Sequence, residues 1–327
     1  MKATAKAHPI QGIVKYHGMR DEQLRMPYHD SISVCTAPSH TKTTVEFDFE
    51  REEDTYIVDG EELEGRAKER VDDVVDYVRK TSDAPHAVYG VKLESENSFP
   101  TNVGLGSSAS GFAAAAMALA KAAELEWSRP EISTIARRGS ASAARAVTGG
   151  FSHLYDGLND EDCRSERIET DLEGDLRIVI GLVPSYKETE QAHKEAADSH
   201  MFQARMAHIH EQIAEARDAL REGEFDRTFE LAEHDSLSLA ATTMTGPAGW
   251  VYWQPATLRV FNAVRELRSE EDIPAYFSTD TGASVYVNTT DEHAERVKET
   301  LEDCGVTAAI WQVGGPARVL DESEALF

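Results

Sequence analysis

The sequence is poor in cysteine and has no long apolar run. Cys35, Cys163 and Cys304 lie far apart and form no CxxC pair, which favours reduced thiols over a zinc site or a disulfide framework. The longest apolar run, Phe112–Ala120, has nine residues, whereas a helix needs ~20 to span a bilayer. The opening MKATAKAHPIQG contains no apolar stretch, so we expect no signal peptide. These absences predict a cytoplasmic protein that does not interact with membranes.

Basic residues are also scarce. The chain has 33 lysines and arginines against 59 acidic residues, a net charge of −26, with the acids spread over the whole length. Carboxylates at this density repel one another unless salt screens them. This favours a protein from a halophilic archaeon over a merely acidic mesophilic enzyme. The charge disfavours binding to nucleic acid or to an anionic membrane.

Helical and strand-like stretches alternate along the 327 residues, which is typical of the α+β class. SISVCTA and KTTVEFDF (31–37 and 42–49) are rich in β-branched residues and predict a hairpin. LRIVIGLVP (176–184) predicts a buried strand, and long helical stretches follow it. This change from alternating strands and helices to long helices predicts a boundary between domains 1–185 and 186–327.

Helices are predicted from apolar spacing and from capping residues. Valines at 71, 74, 75 and 78 predict a helix over 65–82. Ser128 followed by Pro130 predicts the start of one or two helices over 128–147. In the second half we predict helices over 188–222, 226–243 and 255–269.

The most informative stretch is NVGLGSSASGFAAAAMALAKAAEL (102–125), where a glycine- and serine-rich segment precedes an alanine-rich helix. A helix N-terminus attracts anions, Gly104 and Gly106 allow close backbone approach, and Ser107 and Ser108 can donate to phosphate or bind Mg²⁺. No Gly-Lys-Ser/Thr follows, so this is not a Walker A loop. A dinucleotide-binding turn and a small-residue helix packed in the core are the alternatives.

Three further stretches carry polar groups whose role is ambiguous in isolation. KYHGMRD (15–21) is either part of a site or a solvated turn. Ser142 and Arg145 share a helix face in ARRGSASAARAVTGGF, where the guanidinium suits a carboxylate or is a surface group. Asp280 in YFSTDTGASVYV lies at a turn between two β-rich runs, and such turns are common for structural reasons alone.

Taken together, the four stretches resemble the GHMP superfamily of small-molecule kinases, and within it the mevalonate-pathway decarboxylases. The family's KYWGKRD corresponds to KYHGMRD, and FPTxxGLxSSAxGFAA corresponds to Phe99–Ala114. Its R-x-GSGSACR-x-x-x-GG corresponds to ARRGSASAARAVTGG, and FDAGPNA to STDTGAS. The combination is specific, and it covers nearly the whole chain.

The resemblance implies a two-domain α+β fold with ATP and an acid in the cleft between the domains. The loop 102–111 would hold the ATP phosphates through Gly104, Gly106, Ser107 and Ser108, with Ser108 also on Mg²⁺ and Asn97 near the nucleotide. Arg145, helped by Ser140 and Ser142, corresponds to the residue that binds the C1 carboxylate. Asp280 corresponds to the aspartate facing the C3 hydroxyl, and Lys15 to the lysine beside it. A homodimer is usual in the family.

The departures from the family pattern bear on the substrate. The second lysine of KYWGK is Met19 here and the tryptophan is His17, while Glu188 and Glu190 occupy a segment that is basic in the family. Fewer cations disfavour a highly charged tail. We therefore predict decarboxylation of (R)-5-phosphomevalonate to isopentenyl phosphate, with His17 and Arg20 near the single phosphate and Tyr16 as a further substrate-binding residue. The alternatives are a diphosphomevalonate decarboxylase, a kinase that does not decarboxylate, and an inactive relative that serves as a binding module.

Overall fold

The computed structural model describes residues 1–99, 107–184 and 193–327, and two sheets organise these residues. The strands are β1 Lys2–Ala7, β2 Ile10–Val14, β3 Met19–Asp21, β4 Met26–Pro27, β5 Ser31–Ala37, β6 Thr41–Asp48, β7 Thr55–Val58, β8 Glu61–Glu62, β9 Gly90–Asn97, β10 Phe151–Leu154, β11 Ser165–Ile168, β12 Leu176–Leu182, β13 Tyr276–Ser278, β14 Val285–Thr290, β15 Thr307–Val313 and β16 Arg318–Val319. One sheet has six strands in the order β16-β1-β6-β9-β7-β8. The other has eight, in the order β11-β10-β5-β15-β12-β14-β13 with β2 paired to β5.

Helices cover these sheets. They span Gly65–Thr81, Ser107–Ala122, Arg129–Gly139, Ala141–Thr148, Phe202–Glu222, Phe225–Met244, Pro255–Glu271 and Ala294–Asp303. The prediction over 65–82 is confirmed, because the four spaced valines are all buried. The 128–147 stretch forms two helices, and Ser128 and Glu131 form a capping box at the start of the first. The helices predicted at 226–243 and 255–269 are confirmed within two residues.

Two predictions of secondary structure are wrong. β5 and β6 are strands, but they do not form a hairpin. β5 pairs with β2, β10 and β15, while β6 pairs with β1 and β9 in the other sheet. The helix predicted over 188–222 is not continuous: residues 193–195 are helical, a 3-10 turn follows at Ala196–Asp198, and the long helix spans Phe202–Glu222. Residues 188–192 of this prediction lie outside the described part of the chain. Two partners of β5, β10 and β15, lie far away in sequence, and β2 is separated from it by β3 and β4, so local pattern does not reveal this pairing.

The eight-stranded sheet is buried on both faces at its centre. Along β12, Ile178 and Ile180 pack with one core cluster and Val179 with another, as alternation along a strand requires. Helices Phe202–Glu222 and Phe225–Met244 cover the first face, and Pro255–Glu271 and Ala294–Asp303 the second. This sheet contains strands from both sides of residue 185, where we predicted a domain boundary. None of the helices within the described ranges is both long and apolar enough to cross a membrane.

Candidate active site

A pocket forms where the end of β2, two helix starts and the β13–β14 connection meet. Seven of the predicted site residues line it: Lys15, Tyr16, Ser108, Ser140, Ser142, Arg145 and Asp280. They come from four stretches spread over more than 260 residues of sequence. The fold thus brings together the side chains that the motifs single out.

Gly12 lets the backbone of β2 pass close to Lys15 and Asp280. It lies in β2 beside a register shift against β5, and its backbone N–H donates to Asp280 Oδ1 over 3.2 Å. A Cβ at this position would lie 2.4 Å from Lys15 Cγ and 2.9 Å from Asp280 Oδ1. Only a residue without a side chain lets β2 approach both groups.

Asp280 lies in the connection between β13 and β14, as the sequence predicts. These strands pair antiparallel, with Tyr276 opposite Asn288, and Gly282 N–H donates to the Asp280 carbonyl over 3.0 Å. The preceding Thr279 N–H donates to the Ser236 hydroxyl over 3.1 Å. The turn is therefore held from both sides, and the carboxylate is half-buried.

Lys15 is the buried cation beside this carboxylate. Its Nζ donates to Ser236 Oγ over 3.0 Å and lies 3.5 Å from Asp235 Oδ2. Burial lowers the pKa of Lys15, while the charges of Asp235 and Asp280 oppose that shift. The ammonium is thus near two carboxylates, one wholly buried and one lining the pocket.

Arg145 is only 2% exposed, and no carboxylate of the described residues pairs with its charge. Within the described residues, its guanidinium donates to the Ser31 hydroxyl, no acidic group lies at ion-pair distance, and its Nε has no acceptor. Burial lowers the pKa of Arg145, opposed by the more distant Tyr16 and Asp280. A buried, unpaired guanidinium is costly unless an anion binds it, so Arg145 is suited to hold an anionic ligand.

Tyr16 and the small hydroxyl residues complete the wall around Arg145. The Tyr16 ring lies 5.4 Å from the guanidinium carbon, and its hydroxyl is 3.3 Å from Ser142 Oγ. His193 stacks on this ring at 4.8 Å between centroids. Ser140 separates helices Arg129–Gly139 and Ala141–Thr148. Ser108 lies in the first turn of helix Ser107–Ala122 and is exposed.

Three predicted site residues do not line the pocket. Asn97 donates to Asp59 and accepts from the Thr41 hydroxyl. His17 is fully buried against the edge of His193. Arg20 donates to the carbonyls of Pro27, Asp156 and Gly157. Gly104, Gly106 and the side chain of Ser107 lie outside the described residues, as do Glu188 and Glu190.

The pocket contains further cations besides Lys15 and Arg145. Arg25, Arg66, Arg70 and Lys194 line the same pocket, although the chain as a whole is strongly acidic. Arg66 and Arg70 lie at the start of helix Gly65–Thr81, where the sequence shows only a charged face. Such a concentration of positive charge suits a polyanionic ligand.

Among the described residues, no cluster of three or more histidine, cysteine or acidic side chains could bind a metal. The Ser108 hydroxyl is nevertheless a suitable oxygen ligand for Mg²⁺, which keeps most of its ligands as water and substrate phosphate. A metal at this pocket would therefore be held mainly by a bound nucleotide.

Comparison with known proteins agrees with this geometry. Residues 7–165 match the model of the diphosphomevalonate decarboxylase-like N-terminal domain. Phosphomevalonate decarboxylase of Haloferax volcanii is 75% identical over 100% of both chains. Mevalonate diphosphate decarboxylase from Staphylococcus aureus superimposes with a TM-score of 0.92 at 28% identity, covering 98% of each chain. A complex described as MDDEF with MVAPP, AMPPCP and magnesium gives 0.91 at 28% identity, covering 98% of this chain and 99% of that one.

Fold and pocket together define a protein of the GHMP kinase type, with helices packed on a curled sheet and a site lined by residues from distant strands and helices. Identity to the Haloferax protein extends over the entire length. The chain belongs to the diphosphomevalonate decarboxylase-like family.

Proposed function

We propose that this protein catalyses the ATP-dependent decarboxylation of (R)-5-phosphomevalonate to isopentenyl phosphate, ADP, phosphate and CO₂. The observation that carries the proposal is the buried guanidinium of Arg145, which pairs with no carboxylate of the described residues and lies in the same pocket as Asp280 and Lys15. A 3-hydroxy acid offers the carboxylate that Arg145 lacks and a hydroxyl that reaches Asp280.

Arg145 binds the C1 carboxylate through its guanidinium, with the hydroxyls of Ser140 and Ser142 beside it. A charged pair of this kind is strong because the planar donor matches the planar acceptor. Its role is to fix the acid so that the C3 hydroxyl faces Asp280. Asp280 orients that hydroxyl and accepts its proton.

The chemistry then proceeds in two steps. The C3 oxygen attacks the γ-phosphate of ATP, its proton passes to Asp280, and ADP leaves. Next the C3–O bond breaks with departure of phosphate, and the C1–C2 bond breaks with release of CO₂. The electron pair of C1–C2 becomes the C2=C3 double bond. Lys15 stabilises negative charge on the transferred phosphoryl group and on the phosphate that leaves.

ATP is the co-substrate, and the residues of the pocket suit its charge. Ser108 at the helix start, with Gly104, Gly106 and Ser107 before it, is proposed to hold the phosphates, and Arg66 and Lys194 add positive charge. Mg²⁺ neutralises phosphate charge when bound, with the Ser108 hydroxyl as the protein ligand. The likeness to a complex with AMPPCP and magnesium supports this assignment.

Two observations favour the monophosphate over the diphosphate substrate. Met19 lines the pocket at the position where the family motif has a lysine, and a thioether offers no charge-assisted donor. The relative that is 75% identical bears the name phosphomevalonate decarboxylase. We assign the 5-phosphate end to Tyr16 and His193, with His17 behind them. The diphosphate remains the second candidate because the S. aureus protein, 28% identical, is named for it.

Steady-state release of ADP and CO₂, measured with both acids in molar KCl, tests the proposal. We expect a higher kcat/KM for the 5-phosphate and equal amounts of ADP and CO₂. A higher kcat/KM for the diphosphate would reverse the substrate assignment and leave the mechanism intact. ADP formation without CO₂ would show a kinase instead.

A further inference from the structure

Behind Lys15 lies a buried cluster that the proposed reaction does not use directly. It consists of Asp235, Ser236 and Arg205, with side chains that are at most 1% exposed. Asp235 and Ser236 belong to helix Phe225–Met244, and Arg205 to helix Phe202–Glu222. Both helices pack against the strand that leads into Lys15.

Asp235 holds Lys15 at two atoms. Its Oδ2 accepts the Lys15 backbone N–H over 2.9 Å and lies 3.5 Å from Nζ. Its Oδ1 accepts from Arg205 over 2.8 Å, and the same Arg205 nitrogen donates to the Lys15 carbonyl over 2.6 Å. The main chain of Lys15 is therefore bound on its N–H by the carboxylate and on its C=O by the guanidinium.

Ser236 connects Lys15 to the turn that carries Asp280. Its hydroxyl accepts from Lys15 Nζ over 3.0 Å and from Thr279 N–H over 3.1 Å, and donates to the Ala232 carbonyl over 2.8 Å. Thr279 directly precedes Asp280. One buried hydroxyl thus sets the position of the ammonium relative to the carboxylate.

Three charged side chains face Lys15 from the elements around it: Asp235, Asp280 and Arg205. Arg205 repels the ammonium, so Asp235 has to offset both that charge and the cost of burial. Burial alone would raise the pKa of Asp235, but Arg205 and Lys15 hold it below its usual value. Nearby His29 is neutral at physiological pH, since burial lowers its pKa to about 4.

We propose that Asp235 and Ser236 are positioning residues for Lys15: Asp235 is the counter-ion that keeps the buried ammonium charged, and Ser236 aims it at the site beside Asp280. This inference rests on the proposed reaction for its kinetic consequence. The electrostatic claim stands on the cluster alone and can be measured without turnover. Neither residue touches substrate in this assignment.

The direct test is the Lys15 titration in protein labelled with [¹³Cε]lysine, where Lys15→Arg assigns one of the eleven lysine signals. Asp235→Asn keeps the shape and removes the charge. Because an adjacent opposite charge moves a pKa by about 1 to 3, we expect the Lys15 midpoint to fall by that amount. The alkaline limb of the kcat profile should fall with it.

Glu233→Gln is the matched control. Glu233 is a buried acid two residues away on the same helix, but it pairs with Arg268 and accepts from Phe277 N–H. Its loss should lower stability and leave the Lys15 midpoint and the pH profile unchanged. A wild-type midpoint in Asp235→Asn, or an equal shift in Glu233→Gln, overturns the counter-ion role.

A second variant covers the case in which Asp235→Asn does not fold. Ser236→Ala removes one hydrogen-bond acceptor of the Lys15 ammonium. Loss of a hydrogen bond to a charged group lowers a rate or binding constant by roughly tenfold or more. We expect kcat to fall about that much with KM for ATP unchanged; a wild-type kcat overturns the aiming role. If the wild-type protein releases no CO₂, the proposed function fails, while the NMR midpoints still decide for or against Asp235.

Discussion

Gly12 offers a sharp test of the candidate site, because a methyl group added at this position would contact both Lys15 and Asp280. In Gly12→Ala the new Cβ would lie 2.4 Å from Lys15 Cγ, against 3.4 Å or more for ordinary contact, so the lysine must move by about 1 Å. It would also lie 2.9 Å from Asp280 Oδ1. This contact would weaken the hydrogen bond that the Gly12 N–H donates to that carboxylate. Gly12 has no unusual backbone angle, so the effect is purely steric.

The expected loss follows from that displacement. A misplacement of about 1 Å at a reacting group costs roughly 10²-fold in rate, or about 2.7 kcal/mol of barrier. We expect kcat for CO₂ release to fall by about this factor. ATP affinity should stay within about twofold of wild type, because the added methyl group meets Lys15 and Asp280 and not the residues proposed to bind the ATP phosphates. The assay is steady-state CO₂ release in molar KCl, together with ATP binding by calorimetry.

Gly174→Ala is the control, since a Cβ there meets nothing within 4 Å and its backbone is helical. It should keep wild-type activity. The reasoning is refuted if Gly12→Ala keeps more than about a third of the wild-type kcat, when a factor near 10² is expected, or if both variants lose activity equally.

Four further outcomes are expected. Asp280→Asn should lower kcat by ~10²–10⁴ while ATP binding persists. A variant that keeps more than a tenth of the wild-type kcat would have lost less than the ~10²-fold expected at minimum, and this would remove Asp280 from the site. Met19→Lys should raise kcat/KM for the diphosphate by about 10- to 100-fold, the factor that corresponds to one charge-assisted hydrogen bond. If paired assays of both acids show no such increase, the substrate assignment is contradicted. Burial, aided by Arg205, lowers the pKa of His29 to about 4. The imidazole of His29 therefore binds a proton more tightly in the unfolded chain, and the free energy of unfolding should fall by about 3 kcal/mol between pH 6.5 and pH 4. Denaturant titrations of wild type and His29→Asn check this, because the decrease should be absent from the variant. Circular dichroism should show loss of the cooperative transition in millimolar KCl, where carboxylate repulsion is unscreened; an unchanged transition counts against a halophilic surface.

Local pattern predicted the helices well because the information lies within each segment. The valines of Gly65–Thr81 repeat at helical spacing and are buried, and Ser128 with Glu131 fixes a helix start. The β5–β6 hairpin failed for the opposite reason. Both strands have β propensity, yet their partners are set by packing across the whole chain.

In the candidate site, too, some features follow from local sequence and others depend on long-range packing. Ser142 and Arg145 share a helix face by spacing alone, but their meeting with Lys15 and Asp280 could be predicted only from resemblance to a family. Asp235 escaped notice because an acid on the buried side of HDSLSLA looks like any helical acid. Its signal, an acid between the buried Leu231 and Leu239 at helical spacing, becomes informative only once Lys15 and Arg205 are seen beside it.

The place of β15 in the eight-stranded sheet has a consequence for the order in which the protein is made. β15 lies between β5 and β12, and it pairs Val313 with Thr36 and Ile310 with Val179. Every proposed site residue has left the ribosome once Asp280 has emerged, yet the strand that joins the two parts of the sheet follows some thirty residues later. A nascent chain therefore carries all the proposed site residues before it has the strand that aligns them, and until β15 is made the neighbouring edges of β5 and β12 are open to pairing with other chains.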